Sequence, residues 1–262
     1  MKGLILAGGS GSRLSPLTSA ISKQLLPVYN KPLIYYPLST LMLAGIREIM
    51  IVVNPNHLDL FKATLGDGSQ FGIALEYVVQ EKPQGIAQGI LLAEEFIGQD
   101  NFALILGDNV FYGSGLGRTL IKYSGTIGAH IFTHTDKHPE NFGVIEIDIN
   151  GEIKSIEEKP QYPKSNQIIT GLYFFDKRAI VFVRELKPSK RGELEITDVL
   201  KKYLNLGQLN FTKLSLGTAW LDTGTFETLQ DAGVFVRLVE ERQGISFGNP
   251  FDIGIKLGWI ES

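Results

Sequence analysis

The sequence contains no cysteine and has no excess of positive charge. The absence of cysteine excludes disulfide bonds, thiolate metal sites and a cysteine nucleophile, and it is compatible with a reducing cytosol. The formal net charge of -3 does not provide the basic surface that nucleic acids or anionic membranes bind. No apolar run approaches the length of a membrane span, and the run after residues 1–3 is too short for a secretory signal. We therefore expect a soluble, cytoplasmic protein that binds neither nucleic acid nor membranes.

What the sequence does contain is a regular alternation of apolar segments over about residues 1–110. The segments GLILAGG, EIMIVVN, LEYVVQ and NFALILGDN are typical of buried strands. Between them, KPLIYYPLSTLMLAG, LDLFKATLGDG and GIAQGILLAEEFIG are each predicted to form one helix. In the first of these, Pro32 is expected in the first turn and Gly45 at the C-terminal cap. Strands that alternate with helices predict a parallel sheet with helices on its faces.

Strands predominate after about residue 110. GVIEIDING and EIKSIEEKP are predicted to pair as a hairpin through a two-residue turn at Asn150 and Gly151. IITGLYFFD and FTKLSLG are predicted strands, whereas RGELEITDVLKKYLNLG and FETLQDAGVFVRLVEERQG are predicted helices. No Ser/Pro-rich linker and no internal repeat divides the chain. We expect one α/β domain over residues 1–262, with its ligands beyond the carboxyl ends of the strands.

The first strand runs directly into a glycine-rich, basic loop, AGGSGSR. Glycines let successive backbone N–H groups approach an anion closely, and a phosphate is the usual ligand of such a loop. The loop matches neither the Walker A pattern nor the dinucleotide fingerprint, because Leu14 stands where the third glycine of that fingerprint would be. By itself it is as compatible with a tight surface turn as with a phosphate site. Arg13 favours the phosphate interpretation, and Lys23 adds a second cation nearby.

Two acidic residues follow apolar segments in a similar way, Asp108 in LILGDN and Asp222 in AWLDTGT. Taken singly, each is more readily interpreted as a cap or turn residue. Brought together from different strand ends, they would hold Mg²⁺, which takes one or two carboxylates together with substrate phosphates. With the loop amides, Arg13 and Lys23, this pair predicts chemistry at a polyphosphate, where catalysis is mainly positioning and charge neutralisation.

A further charged group ends the segment SIEEKP. The sequence alone favours an ordinary charged strand terminus. In the alternative interpretation, Glu158 accepts hydrogen bonds from ligand hydroxyls and Lys159 pairs with a monoester phosphate.

The histidines do not predict a metal site, although His130, His134 and His138 are spaced four residues apart. On a helix this spacing would align all three on nearly one face. The surrounding AHIFTHT is rich in β-branched and aromatic residues and predicts a strand, in which four residues span about 13 Å. That distance is too long for the side chains to share one zinc ion.

Long motifs, in order along nearly the whole chain, resemble the bacterial glucose-1-phosphate thymidylyltransferases, the sugar-nucleotide pyrophosphorylases that make dTDP-glucose. These motifs are LILAGGSGSRLSPLTSAISKQLLPVYNKPLIYYPLSTLMLAGIREI, LGDGSQFGI, GIAQGI, LGDNVFYG, FGVIEID, EEKPQYPKSN, TGLYFFD, KPSKRGELEITDV and AWLDTGT. The resemblance implies an α/β, Rossmann-like nucleotidyltransferase fold, with a mostly parallel mixed sheet flanked by helices and a β-rich sugar-binding portion. It implies a nucleotide-binding half at about residues 1–110, a sugar-binding half at about 111–225 and a C-terminal helical segment at about 226–262.

The resemblance also implies a reaction and a set of residues. The phosphate oxygen of α-D-glucose 1-phosphate would attack the α-phosphorus of dTTP in line, with Mg²⁺ assisting, and dTDP-glucose and pyrophosphate would result. The implied catalytic residues are Arg13, Lys23, Asp108 and Asp222, of which the two aspartates would bind the metal. The implied nucleotide-binding residues are Leu6, Gly8, Gly9, Gly11, Ser12, Arg13, Gln24, Gln80, Pro83 and Gly85, and the implied sugar-phosphate-binding residues are Asn109, Gly143, Glu158, Lys159, Ile169 and Tyr173.

This chain departs from the family pattern in its sugar site and at its end. Phe142 stands where many relatives have tyrosine, and the missing hydroxyl leaves the sugar selectivity, or one contact near the ring, open. Ile169 stands where family members often have valine, which is a milder change. Longer bacterial members continue past GWIES with helices that help to form a second nucleotide-sugar site and an oligomer contact. We therefore expect a short form that is a homodimer or a higher homo-oligomer, and we do not assume feedback inhibition by dTDP-rhamnose.

Three other functions remain open from the sequence. The same chemistry with UTP or another sugar 1-phosphate is the nearest, because one methyl group on a base contributes only about 1–3 kcal/mol of discrimination. A catalytically idle sensor of sugar nucleotides would be expected to lack a charged site residue, whereas all of those named above are present. A structural interaction protein would not need two cations and two strand-end acids.

Overall fold

The computed structural model describes residues 1–261, in which strands and helices alternate at first and strands then predominate, as predicted. The strands are β1 (Lys2–Ala7), β2 (Pro27–Val28), β3 (Lys31–Pro32), β4 (Glu48–Val53), β5 (Ala74–Val79), β6 (Phe102–Leu106), β7 (Asn109–Tyr112), β8 (Ala129–Thr135), β9 (Gly143–Ile147), β10 (Ile153–Glu158), β11 (Gln167–Phe175), β12 (Leu209–Lys213) and β13 (Ala219–Asp222). The helices are α1 (Tyr35–Leu43), α2 (Leu58–Leu65), α3 (Ile86–Leu92), α4 (Glu94–Ile97), α5 (Leu116–Ile121), α6 (Arg178–Arg184), α7 (Ile196–Asn205), α8 (Phe226–Gln243) and α9 (Pro250–Lys256).

A mixed sheet of nine strands organises this part of the chain, in the order β10-β9-β11-β6-β1-β4-β5, with β8 beside β11 and β12 beside β8. β1 pairs in parallel with β4 and β6, and β4 pairs in parallel with β5. The parallel sheet predicted for the first half is therefore confirmed. β11 runs antiparallel to β6 and begins the strand-rich half. Because β6 and β1 are parallel neighbours, the segments that follow them meet at one edge of the sheet.

Both faces of the sheet are covered, and this explains the continuous apolar runs of the central strands. Along β1, Leu4 packs into one hydrophobic cluster and Ile5 into another on the opposite face, and both side chains are fully buried. The first cluster includes buried residues of α3, α6 and α7, and the second includes those of α1. The sheet is thus the middle layer between helices.

The long helix α8 fastens the β2–β3 hairpin to the body of the protein. Thr225 and Thr228 form a capping box at its N-terminus, and Ala232 and Val236 pack against the hairpin region. Near its C-terminus, Glu240 accepts a hydrogen bond of 2.6 Å from Lys31, and the two side chains are only 11% and 9% exposed. This ion pair holds the hairpin that directly follows Lys23 and Gln24 in the chain.

Two of the helix predictions need correction. Pro32 belongs to β3, because the chain first closes the hairpin with β2 and enters α1 only at Tyr35. The helix predicted for GIAQGILLAEEFIG is divided into α3 and α4, since Ala93 leaves the helical region at φ -96° and ψ 8°. The predicted end of α1 is confirmed, with Gly45 at φ 80° directly after the cap residue Ala44.

The turn between β9 and β10 is one residue longer than predicted. The N–H of Asp148 donates to the carbonyl of Glu152 at 2.9 Å, which leaves three residues in the turn, with Gly151 at φ 85°. The carboxylate of Asp148 accepts from the N–H groups of Asn150 and Glu152 at 2.8 and 2.9 Å. These side-chain bonds stabilise the longer turn, which the dipeptide Asn-Gly alone does not reveal.

No helix between residues 1 and 261 has the length and apolar character that a membrane crossing requires.

Candidate active site

The glycine-rich loop after β1 forms the wall of a cavity of about 200 Å³. The loop is anchored by the fully buried side chain of Leu14, which ends a short 3-10 turn. Gly11 has φ 61°, a value that favours glycine, and its carbonyl accepts a hydrogen bond of 2.9 Å from Thr18. The cavity is lined by Gly9, Ser10, Gly11, Ser12, Arg13, Leu14, Lys23, Gln24, Asp108 and Gly224.

The end of β6 places Asp108 opposite a buried cation. Lys23 Nζ lies 2.6 Å from Asp108 Oδ2, and the lysine side chain is only 6% exposed. Asn109 Nδ2 donates to the other carboxylate oxygen of Asp108 at 3.0 Å. Both oxygens of Asp108 are therefore held in fixed positions at the edge of the cavity.

The antiparallel pair β13–β7 brings the second aspartate to the same place. Asp222 pairs with Asn109 across these strands, so it lies beside Asp108 although the two acids are far apart in sequence. Beyond it, a Cβ added to Gly224 would lie 2.8 Å from Asp222 Oδ2 and 3.2 Å from both terminal nitrogens of Arg13. Arg13 and Asp222 therefore lie close together, in space that Gly224 leaves open because it has no side chain.

Burial raises the pKa of Asp222 to about 6, with the charge of Asp108 as the next cause, and the cations of Lys23 and Arg13 oppose the rise in part. Two carboxylates that repel each other in a largely buried site fit a divalent cation. Over residues 1–261, no group of three or more histidine, cysteine or acidic side chains is arranged to hold a metal ion. At this place the structure brings two carboxylates together, those of Asp108 and Asp222.

Two of the residues predicted to bind the base, Gln24 and Gln80, lie beside the start of the glycine-rich loop. A Cβ added to Gly8 would stand 2.3 Å from Gln80 Oε1, so the amide of Gln80 lies directly above the Gly8 backbone. Gln80 is 7% exposed and Gln24 is 5% exposed. Gln24 Oε1 accepts a hydrogen bond of 2.6 Å from Ser22. Two buried amides therefore border the loop.

The remaining base-site predictions fall into packing and surface positions. Leu6 packs on α3, where a Cβ at Gly89 would be 2.5 Å from Leu6 Cδ2. Gly85 has φ 100°, and a Cβ there would be 2.4 Å from the carbonyl oxygen of Leu194. Pro83 is exposed on the segment before α3. Gly85 therefore packs closely against the backbone of the segment before α7.

A second cluster forms around Glu158 at the end of β10. A Cβ added to Gly143 would lie 3.0 Å from Thr197 Cγ2, 3.4 Å from Ile169 Cδ1 and 3.6 Å from Glu158 Oε2. The pKa of Glu158 is raised, first by burial and then by the charge of Glu195. Four strand or helix ends thus converge on one carboxylate in a narrow space.

Tyr173 and Lys159 border the same cluster. Burial raises the pKa of Tyr173, and the charge of nearby Glu158 raises it further. Lys159 adopts φ 41°, an uncommon value for a residue with a side chain, and its N–H donates to the Phe142 carbonyl at 3.0 Å. Such backbone strain is concentrated at functional sites, where the surrounding structure holds it in place.

Asn109 differs from the other predicted sugar-phosphate residues because its side chain is occupied inside the protein. It is 1% exposed, and its Oδ1 accepts from the Trp220 indole at 2.7 Å and from the Gly171 N–H at 3.1 Å. Its Nδ2 holds Asp108, as described above. In this structure Asn109 therefore positions Asp108, and its contact with a sugar phosphate stays a prediction.

The sequence also matches the family model described as nucleotidyl transferase, over residues 2–237.

The chain belongs to the nucleotidyl transferase family.

Its curated relatives confirm the resemblance predicted from the motifs. A glucose-1-phosphate thymidylyltransferase of Mycolicibacterium smegmatis is 52% identical over 261 residues, which cover 100% of this chain and 91% of the relative. Another from Neisseria meningitidis is 53% identical over 261 residues, 99% of this chain and 91% of the relative. This nucleotidyl transferase is therefore an enzyme, and members of its family generally use a divalent metal ion.

Solved structures agree with the fold prediction. A Bacillus anthracis protein provisionally named a glucose-1-phosphate thymidylyltransferase, crystallised with sucrose, is 41% identical and has a TM-score of 0.86, covering 96% of this chain and 99% of its own. A UDP-glucose pyrophosphorylase in complex with UDP-glucose is 27% identical, with a TM-score of 0.78, covering 90% of this chain and 98% of its own. The predicted α/β nucleotidyltransferase fold is confirmed.

Several residues that shape the site of this nucleotidyl transferase were not predicted from the sequence. Arg191 Nη1 lies 3.6 Å from Glu158 Oε1 and 3.4 Å from Glu195 Oε1, so one cation bridges two acids of the Glu158 cluster. Arg191 and Glu195 lie in the charged segment KRGELE, but no pattern in this segment indicates a contact with Glu158. Thr197 lies against Gly143, and Gln88 accepts a hydrogen bond of 2.7 Å from Gln80; both residues lie in helices, where no local motif indicates these contacts.

Proposed function

We propose that the chain transfers a thymidylyl group from dTTP to α-D-glucose 1-phosphate and releases dTDP-glucose and pyrophosphate. In this reaction a phosphate oxygen of the sugar phosphate forms a bond to the α-phosphorus. The bond from that phosphorus to the oxygen bridging to the β-phosphorus breaks, and the electron pair leaves with pyrophosphate. The observation that carries the proposal is the convergence of Arg13, Lys23 and Asp108 on one cavity at a glycine-rich loop, with Asp222 beside Arg13 and Asp108. The names of the curated relatives support the two substrates.

Within this proposal, Asp108 and Asp222 would hold Mg²⁺, since carboxylates are the ligands that this hard cation prefers. When bound, the ion would neutralise negative charge on the reacting phosphates. Lys23 is already fixed 2.6 Å from Asp108, so it would present its ammonium to the α-phosphate without reordering. Arg13, beside Asp222, would bind the phosphates that leave as pyrophosphate.

The rest of the nucleotide would lie along the loop and its neighbouring amides. The backbone N–H groups of the loop would bind the triphosphate, because glycines allow close approach. Gln24 and Gln80, both buried, would contact the base. The full proposed set is Leu6, Gly8, Gly9, Gly11, Ser12, Arg13, Gln24, Gln80, Pro83 and Gly85.

The sugar phosphate would occupy the Glu158 cluster. Glu158 would accept hydrogen bonds from the sugar hydroxyls, while Gly143, Ile169 and Tyr173 surround the ring. Lys159 would pair with the phosphate, and the strained backbone at φ 41° would fix its direction. Because the phosphate is itself the nucleophile, no side chain of the protein becomes covalently modified.

We further propose that residues 1–262 work as one domain, with the nucleotide half at about 1–110, the sugar half at about 111–225 and the helical segment after it. A cytoplasmic location and a homodimer or higher homo-oligomer are parts of the same proposal. Sedimentation velocity would measure the oligomeric state.

The second candidate function is the same transfer with UTP. The likeness to a UDP-glucose pyrophosphorylase, with a TM-score of 0.78, favours keeping it. Uracil lacks only the methyl group of thymine, which contributes about 1–3 kcal/mol of discrimination at most.

The deciding experiment measures pyrophosphate release with dTTP or UTP against a set of sugar 1-phosphates, in the presence of magnesium. We expect the highest kcat/KM with dTTP and glucose 1-phosphate. If the folded protein turns over no pair, the proposed reaction is wrong. If kcat/KM is higher with UTP than with dTTP, the second candidate replaces the first.

The metal assignment has its own test. Asp108→Asn should lower kcat by about 10²-fold or more, because a neutral amide cannot replace a carboxylate on a hard cation. The matched control is Asp231→Asn on the exposed side of α8, which should keep full activity. Near-normal turnover by the Asp108 variant, with an unchanged melting temperature in both variants, would show that the assignment is wrong.

A further inference from the structure

Three glutamine side chains behind the phosphate loop form a chain of hydrogen bonds with a fixed direction. The backbone N–H of Gln84 donates to Gln88 Oε1 at 2.9 Å. A backbone N–H can only donate, so the oxygen of the Gln88 amide, and not its nitrogen, must face it. Gln88 Nε2 in turn donates to Gln84 Oε1 at 2.9 Å. The orientation of the Gln88 amide is therefore determined by the backbone.

This orientation is passed on to Gln80. Gln88 Oε1 also accepts a hydrogen bond of 2.7 Å from Gln80 Nε2. If the Gln80 amide turned over, two carbonyl oxygens would face each other in a site where Gln80 is only 7% exposed. An unsatisfied polar pair of this kind is costly when water is largely excluded. Gln80 therefore keeps its nitrogen toward Gln88 and its oxygen toward the loop.

The oxygen of Gln80 occupies the space above Gly8. It lies 2.3 Å from the position that a Cβ on Gly8 would take, which is possible only because Gly8 has no side chain. Gln80 Oε1 is thus a hydrogen-bond acceptor in a fixed place, directly at the start of the phosphate loop.

We propose that Gln88 is a positioning residue that sets the base specificity of the enzyme through Gln80. A fixed acceptor suits a base that carries a proton on N3, as thymine and uracil do. Cytosine has a lone pair on N3 and would place acceptor against acceptor. The site therefore selects the imide pyrimidines and rejects cytosine. This inference rests on the proposed function, in which Gln80 contacts the base.

The test compares two nucleotides that differ only at the edge in question. 5-Methyl-dCTP has the deoxyribose, triphosphate and methyl group of dTTP, but it lacks the N3 proton and carries an amino group at C4. With the wild-type enzyme and magnesium, we expect kcat/KM for dTTP to exceed that for 5-methyl-dCTP on the order of 10²–10⁴-fold, because a buried acceptor is left unpaired by the second base.

Three variants then isolate the role of Gln88. Gln88→Leu frees the Gln80 amide to turn over, and the dTTP to 5-methyl-dCTP ratio should fall about tenfold or more. Gln88→Glu keeps an acceptor oxygen toward Gln80 and should restore a ratio close to that of the wild type. Gln84→Ala removes a side chain but keeps the backbone N–H that orients Gln88, and it is the matched control with a near wild-type ratio.

A purely structural role for Gln88 would lower the activity toward both nucleotides equally. An unchanged ratio in Gln88→Leu, or a ratio in Gln88→Glu that falls as far as in Gln88→Leu, would overturn the proposal. If the wild-type protein turned over no nucleotide, the proposed function would fail instead. In that case calorimetric titration of the same variants with dTTP and 5-methyl-dCTP would still measure the base preference, which keeps the two failures distinct.

Discussion

The buried histidine His130 provides a prediction about stability and pH. It lies in β8, where its ring stacks on Tyr123 at a centroid distance of 3.8 Å and its Nε2 is 2.9 Å from Thr212 Oγ1. Burial lowers its pKa from 6.5 to about 4. The folded protein therefore holds this ring in the neutral form over a pH range in which the unfolded chain already binds a proton.

The direction and size of the change in stability follow from the number of protons that the folded and unfolded states bind. Between pH 6.5 and 4 the unfolded state carries more protons than the folded state, so the free energy of unfolding falls as the pH falls. The full difference in pKa corresponds to about 3 kcal/mol, of which about 2 kcal/mol would be lost between pH 7.5 and pH 5. The stability that depends on a neutral His130 is therefore present above pH 6.5 and is lost as the pH falls toward 4.

Urea unfolding of the wild type and of His130→Phe at pH 7.5 and 5.0 measures this effect. Phenylalanine can keep the stacking on Tyr123 but has no proton to bind, so the variant should lose about 2 kcal/mol less than the wild type over the same interval. His138→Asn, at a side chain that is 74% exposed, should behave like the wild type. Equal losses in the wild type and His130→Phe would refute the reasoning.

Two further predictions test packing at and near the site. Gly224→Ala would place a Cβ 2.8 Å from a carboxylate oxygen of the proposed metal site. It should lower kcat by about 10-fold to 10²-fold with little change in melting temperature. Gly125→Ala, at a position with open space around it, should leave kcat unchanged, and equal kcat values for the two variants would contradict this prediction. Glu240→Gln leaves the buried ammonium of Lys31 without its carboxylate and should lower the free energy of unfolding by about 3 kcal/mol. Glu241→Gln, at a 51% exposed side chain, should change the free energy of unfolding little. Similar urea midpoints for the two variants would show that the Lys31–Glu240 ion pair does not stabilise the fold.

The sequence determined which segments form strands and helices and which residues follow them. Apolar runs identified β1, β4 and β6, because burial on both faces of a parallel sheet leaves a continuous apolar pattern. β5 lies at the edge of the sheet and is only partly buried, and a shorter apolar run identified it. The sequence also indicated a glycine-rich loop, Arg13 and two strand-end acids, which the structure brings together; their role at a polyphosphate stays a prediction. Local details such as the break at Ala93 were not indicated, because they depend on packing around the helix.

Only the tertiary structure decided which of these residues meet. Asp222 reaches Asp108 because β13 pairs with β7, and a pairing between distant segments leaves no mark in either one. Arg191 bridges Glu158 and Glu195 for the same reason. The direction of the Gln80 amide depends on the backbone N–H of Gln84 through Gln88. The sequence shows that the glutamines are present, but only the fold shows which atom of the Gln80 amide faces the glycine-rich loop.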